Sequence, residues 1–285
     1  IILPFRQIYR SLFANIQCSM HSGYKSPNPF LLQRGALMDM ETYYNKLRET
    51  TLAKFKSLNQ SSQVEDRSVN FSVGRVDSSV VRGGILEKAA TARIRLKTKN
   101  PETGEDTRFD VFQIKIYPAN PKIPILLFNM ENRKANEDRF GGFLDVAPVA
   151  TSKEDLHFLQ DGIKKTTERH KEDYEGLRKK IVDIYKRDHW DCAVNAGIGI
   201  RLELMEEQFD FVKEAGLTWV EMYFEIVEKR ANEPYHKEEE ALMNTVRSHI
   251  LEFYILEDMS FRVIQKLGVP LEAMARIHFA PAIKY

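Results

Sequence analysis

Between Ser68 and Val146 the chain repeats one pattern: short runs rich in β-branched and aromatic residues, alternating with period two and separated by turns too short to hold a helix. The runs are Ser68 to Val73, Val80 to Leu86, Ala92 to Leu96, Phe109 to Tyr117, Ile123 to Met130 and Gly141 to Val146. Turn chemistry marks the breaks, at Gly83-Gly84, at Asn100-Pro101-Glu102-Thr103-Gly104 and at Pro118-Ala119-Asn120-Pro121. A parallel neighbour needs a crossover of about a dozen residues or more, so consecutive strands with such short links must pair antiparallel. That excludes doubly wound and barrel α/β folds for this half of the chain.

The flanks read as helices. Met38 to Leu58 is a charged amphipathic segment carrying Tyr43, Leu47 and Phe55. After Pro148, Ser152 is an N-cap with Asp155 three residues on, and a charged segment runs from Glu154 to Arg187 with Gly162 and Gly176 as candidate breaks. Gly197 to Leu204 returns to strand. Phe209, Val212, Gly216, Trp219, Tyr223 and Ile226 then form a helical core stripe, and a further helix spans about His236 to Leu256. Helices before and after a block of strands specify an α+β fold, a large antiparallel sheet flanked by helices on both faces, as a single domain over 39–285.

Composition narrows the function. The 285 residues hold 42 Lys and Arg against 41 Asp and Glu, a balance that speaks against nucleic acid as a partner held by bulk positive charge. No run approaches the roughly 18 to 20 apolar residues of a transmembrane helix. Cys18 and Cys192 form neither a disulfide framework nor a metal-type spacing. Phosphate-loop, dinucleotide, zincin, nucleophile-elbow and EF-hand signatures are absent from the sequence.

The charge is unevenly spread. Residues 1–38 carry Arg6, Arg10, Lys25 and Arg34 and no acid, with apolar residues at helical spacing from Phe5 to Ile16. This composition fits either the remnant of an organelle targeting peptide or an arm that docks on a partner.

One segment carries chemistry: Arg139-Phe140-Gly141-Gly142-Phe143-Leu144-Asp145-Val146-Ala147-Pro148. Paired glycines weaken a strand unless backbone or ligand must approach closely. A carboxylate bracketed by Leu144 and Val146 needs a hydrogen-bonding partner or a chemical task.

These residues, taken in order with Leu86-Glu87-Lys88-Ala89, with Tyr117-Pro118-Ala119-Asn120-Pro121, Pro124 and Phe128-Asn129, and with Gly197-Ile198-Gly199 and Leu251-Glu252-Phe253, resemble oxygen-dependent coproporphyrinogen III oxidase. The resemblance spans about residues 65–285. It implies a homodimer that converts propionates of a reduced tetrapyrrole to vinyl groups in haem biosynthesis, in mitochondria. It implies molecular oxygen as the co-substrate, with no obligatory metal or organic cofactor. It further implies that Asp145 is catalytic, holding pyrrole N–H groups and assisting deprotonation, with Asn129, His157, His189, Gly141 and Gly142 around the tetrapyrrole ligand. The chain departs from the family pattern where Tyr117 and Leu127 replace histidines and where Glu131, Ala196 and Met259 stand at arginine positions. Two functions are consistent with this mixture: a divergent enzyme of this type, or a catalytically inactive homologue retained as a porphyrin-binding or structural subunit of a larger organellar complex.

Overall fold

A computed structural model describes residues 39–60, 62–99, 104, 106–134, 138–190 and 193–281. Residues 1–38, expected as a targeting remnant or a docking arm, both cysteines and the turn residues 100–103 lie outside the described residues.

The strands are β1 (Glu65–Phe71), β2 (Gly74–Arg82), β3 (Leu86–Lys99), β4 (Asp106–Pro118), β5 (Ile125–Lys134), β6 (Asp138–Ala147) and β7 (Ile200–Met205). They form one seven-stranded sheet in sequence order, and every neighbouring pair is antiparallel. The expected run Val80 to Leu86 is divided by its own glycines: Gly83 and Gly84 sit at φ +80 and +79, so β2 ends at Arg82 and β3 begins at Leu86. Gly197 to Gly199 likewise forms a loop, and β7 starts at Ile200.

Seven α-helices and a short 3-10 helix at Glu206–Gln208 complete the described chain, the α-helices being α1 (Met40–Leu58), α2 (Lys153–Arg169), α3 (Tyr174–Lys179), α4 (Phe209–Arg230), α5 (Lys237–Leu256), α6 (Met259–Lys266) and α7 (Leu271–His278). Side-chain caps start the first three of these, with Asp39 accepting from the Thr42 N–H at 2.7 Å, Ser152 from Asp155 at 3.2 Å and Asp173 from Gly176 at 3.0 Å. Gly162 does not break α2. It lies where the Met222 side chain of α4 packs against the helix, and an added Cβ would meet Met222 Sδ at 2.0 Å. The break comes instead at Lys171, whose φ of 61 ends the helical path.

Strand alternation divides the core into two layers. Phe112, Ile114, Ile116, Leu126, Phe128, Met130, Leu144 and Val146 face α1, α2 and α4, where Trp219 and Tyr223 are fully buried. Val111, Tyr117, Ile125, Leu127 and Ala147 face the other way, against Tyr185, the apolar side of α5 and α7. Helices therefore cover both faces, as the α+β pattern requires. Burying an aliphatic or aromatic side chain contributes roughly 1.5 to 3 kcal/mol, so two such layers make the sheet a rigid platform.

Candidate functional site

The second face is not covered along its whole width. Toward β7 a cleft of about 610 Å³ opens between the sheet and a roof made by Ile184, Tyr185, Phe253, Glu257 and Asp258. Strand register fixes its floor. Arg133 lies beside Arg139; Glu131 lies beside Gly141, which lies beside Glu203; Asn129 lies beside Phe143, which lies beside Arg201. One step further along the strands, Lys115, Leu127 and Asp145 share the next row.

The two glycines act differently. Gly142 has φ +117, and a Cβ there would fall 2.2 Å from the carbonyl oxygen of Asn129, so only glycine lets β6 pass this close to β5. At Gly141 an added Cβ would have only ordinary contacts, the nearest being Glu131 Cβ at 3.8 Å. Its missing side chain leaves a flat, open patch at the centre of the floor, bounded by Glu131 and Glu203.

The cleft mixes charge. Arg201 pairs with Glu203 (Nε to Oε1, 3.1 Å), and Lys180 reaches the same carboxylate at 3.0 Å. The Arg133 guanidinium lies over the Phe109 ring at 5.6 Å. Glu131 has no hydrogen bond or ion pair among the described residues, and partial burial raises its pKa above the usual glutamate value against the opposing influence of Arg133. Beside it the Gln113 side-chain N–H donates to Asn129 Oδ1 at 2.9 Å, leaving the buried Gln113 Oε1 without a partner.

Of the residues expected at the site, Asn129, Gly141 and Gly142 line the cleft. Asp145, His157 and His189 do not. The Asp145 side chain is fully buried and turned to the segment leading into β7. Its Oδ2 accepts from Asn195 Nδ2 at 2.7 Å and from the Gly197 N–H at 2.8 Å, and Oδ1 accepts from the Gly199 N–H at 3.3 Å. Both glycines serve this contact: Gly197 adopts φ +66, and a Cβ on Gly199 would sit 1.7 Å from the Leu144 carbonyl oxygen. Burial pushes the Asp145 carboxyl up to about 6, although the hydrogen bonds from Asn195 and the backbone pull it down. His157 belongs to α2, which packs on the opposite face of the sheet. His189 is largely solvent-exposed, with Nε2 3.4 Å from Glu252.

The sequence did not mark what lies behind the cleft. Lys115 is buried within 5.2 to 5.7 Å of the Phe143, Tyr185 and Tyr254 ring centres, its amine 3.3 Å from Tyr185 Oη. Burial lowers its pKa to about 7. Tyr185 Oη in turn lies 3.0 Å from Tyr254 Oη. The signal was a polar residue at an alternating strand position, which reads equally as a solvated face.

Comparisons with known proteins bear on this site. The family profile described as coproporphyrinogen III oxidase matches residues 34–267. The oxygen-dependent coproporphyrinogen-III oxidase of Coxiella burnetii is 27% identical over 214 residues, 70% of this chain and 67% of that protein. The enzyme of the same name from Francisella philomiragia is 25% identical over 221 residues, covering 74% of this chain and 70% of that protein. The mitochondrial one of Rattus norvegicus is 27% identical over 204 residues, 66% of this chain and 45% of its own length. Among solved structures, phytochromobilin synthase from tomato in complex with biliverdin shares the fold, with a TM-score of 0.56 at 12% identity over 82% of this chain and 80% of that one. With most of its length, residues 34–267, matched by the family profile, this chain belongs to the coproporphyrinogen III oxidase family.

Proposed function

We propose that this chain binds a propionate-bearing tetrapyrrole in the cleft and carries out its oxygen-dependent oxidative decarboxylation. The observation that carries the reading is the floor left open at Gly141, bordered by the side-by-side Arg133 and Arg139. A flat macrocycle requires a floor without side chains, and its carboxylates require guanidinium partners that donate in parallel. Membership of the family supports the reaction type. The tomato neighbour's complex with biliverdin supports a tetrapyrrole as the ligand class on this fold.

In the reaction each propionate, CH2CH2COOH, loses carbon dioxide and two hydrogens to become a vinyl group. Dioxygen takes up the two electrons and two protons as hydrogen peroxide, which balances the step with oxygen as the co-substrate. The chain's contribution is to orient the macrocycle: the arginines at one end of the floor hold carboxylates, Asn129 offers its amide, and Phe143 and Tyr185 exclude water from the reacting edge. Asp145 acts through the loop it holds, fixing Asn195 to Gly199 and hence the start of β7, whose Arg201 lines the cleft. A mitochondrial location and a homodimeric assembly go with this reading. The rat relative's name and the basic, acid-free composition of residues 1–38 favour the former.

A second reading has its own support. The Asp145 carboxylate is engaged by the chain itself, and neither His157 nor His189 lines the cleft. A member that binds a tetrapyrrole without turning it over would have this arrangement. Purified protein incubated with coproporphyrinogen III in air, with and without anaerobic control, separates the two. The enzyme reading requires vinyl product and one carbon dioxide per dioxygen consumed; binding without either product leaves the second reading.

A further inference from the structure

A buried amine stands directly behind the wall of the cleft, and no carboxylate is paired with it. Lys115 projects from β4 in the row it shares with Leu127 and Asp145, and its side chain is buried. The amine lies 5.5 Å from the Phe143 ring centre and 5.7 Å from that of Tyr185, two residues that line the cleft. Tyr254 closes a third side at 5.2 Å. Ring faces carry partial negative charge, so a cage of three favours the protonated amine. Its hydrogen-bond partner is the Tyr185 hydroxyl at 3.3 Å, and no ion pair joins it among the described residues. Burial outweighs both the cage and the pull of Asp258 on the roof, and holds the amine at about 7. A buried cation without a counter-charge is costly, and an anion placed nearby offsets the cost. By contrast, Arg201 and Lys180 at the same cleft are already compensated by Glu203. A ligand atom in van der Waals contact about 3.5 Å beyond the Phe143 ring centre would lie about 9 Å from the amine.

Resting on the tetrapyrrole reading above, we propose that Lys115 is the counter-charge for a propionate of the bound ligand, and that the buried amine takes up a proton as the ligand enters. Binding completes an ion pair across the Phe143 and Tyr185 wall that the empty protein lacks. Lys115 acts through these two rings, as a positioning residue that favours a macrocycle with a carboxylate against this wall over a neutral one of the same shape. Two unit charges about 9 Å apart, at an effective dielectric constant of about 20, change Kd about tenfold to twentyfold. The sign follows from linkage. The ligand raises the proton affinity of the amine, so binding is tightest below about pH 7 and weakens as pH rises, until the amine is neutral in the complex as well. The other titratable groups around the amine act outside this range. Tyr185 and Tyr254 titrate well above the ordinary tyrosine value, burial keeps His278 neutral, and Asp145 titrates at about 6. Lys88 of β3 is the exception at about 7, but it donates to the Ala275 and Phe279 carbonyls at α7 and does not line the cleft.

The test is absorbance titration of the full chain with two probes: the zinc complex of a porphyrin with four propionates, whose ring nitrogens do not titrate, and its neutral tetra-amide. For the tetracarboxylate, Kd of the wild type should rise about tenfold between about pH 7 and about pH 9.5, while Kd for the tetra-amide stays flat. Lys115→Met should bind the tetracarboxylate about tenfold more weakly than the wild type at about pH 7 and equally at about pH 9.5, and Lys88→Met should keep the wild-type slope. Calorimetry of the wild type in buffers of different ionisation heat reads the coupling without any variant, and should show more than about half a proton taken up per tetracarboxylate near pH 7.5. Wild-type binding that is flat with pH, a slope shared by the tetra-amide, or a slope that survives in folded Lys115→Met would overturn the role of Lys115 and leave the tetrapyrrole reading standing. Failure of the wild type to bind either probe at any pH would overturn that reading, and this inference with it. A thermal melt of each variant establishes that it is folded.

Discussion

Asp145 connects the fold to the site, and its buried carboxyl predicts a pH dependence with a definite sign. Burial lifts its pKa from 3.8 to about 6, the hydrogen bonds from Asn195, Val146, Gly197 and Gly199 recovering only part of the cost. In the unfolded chain the group titrates near its ordinary value. Between about pH 4 and pH 6 the folded protein therefore holds a proton that the unfolded chain has lost, so this group's contribution to stability falls as pH rises through that window. The shift is about two units at about 1.4 kcal/mol each, or about 3 kcal/mol in total. Asp145→Asn cannot titrate. Its amide also turns an N–H toward one of the loop donors, at a cost that does not vary with pH. Urea unfolding of both proteins from pH 4 to pH 7.5 should show the variant gaining about 3 kcal/mol on the wild type across the window. A difference that stays flat with pH would refute the reasoning, because it would mean that the carboxyl is solvated or charge-paired rather than sealed against the 195–199 loop.

Other consequences follow from single contacts. Gly142→Ala forces a Cβ against the Asn129 carbonyl at φ +117 and should cost about 2 to 5 kcal/mol in chemical denaturation, whereas Gly141→Ala should cost less than about 1. The Lys115 amine has its pKa lowered from 10.5 to about 7, so the unfolded chain binds the extra proton between those values and stability rises with pH across them. Lys115→Met should accordingly be more stable than the wild type near neutral pH, by up to about 5 kcal/mol, with the gain vanishing toward pH 10 in thermal melts. Arg230 donates to the fully buried Asp155 through Nε at 2.8 Å and Nη2 at 3.2 Å, joining the end of α4 to the start of α2. Arg230→Ala should destabilise by about 3 to 5 kcal/mol, because it strips the principal partner from a buried carboxylate.

The sheet was legible because each of its strands follows its neighbour in sequence. Period-two alternation and glycine turns are local signals, and an antiparallel meander needs nothing else. Where two local signals conflicted, the glycines prevailed: Gly83-Gly84 split the Val80 to Leu86 run because both residues take φ values that favour glycine. Gly162 illustrates the opposite failure. A glycine can punctuate a helix or admit a neighbour, and only the packing of Met222 decides for the latter. The helices α6 and α7 are eight residues each, too short for periodicity to announce them.

The site divided along the same line. Asn129, Gly141 and Gly142 were expected from the family resemblance, and the register of β5 and β6 brings them together on the cleft floor. Asp145 was found as a residue under constraint, but its partners Asn195, Gly197 and Gly199 lie 50 or more residues away and carry no local mark of that contact. Lys115 and Gln113 occupy alternating positions on β4 that would be solvated if the sheet had one covered face. The second layer of helices buries Lys115 and half-buries Gln113, and no strand pattern specifies which polar face a distant helix will cover.

The central claim is that the cleft over Gly141 is the tetrapyrrole site, and occupancy of that cleft tests it. Gly141→Leu adds a side chain to the floor at a position where the backbone takes no unusual φ and an added Cβ meets nothing closer than 3.8 Å, so the sheet should be retained. Absorbance titration of wild-type protein with a propionate-bearing porphyrin should give a saturable, one-to-one spectral shift, and Gly141→Leu should abolish it while the thermal melt stays close to that of the wild type. Undiminished binding by a folded Gly141→Leu protein would contradict the account, because the ligand would then sit somewhere other than this floor.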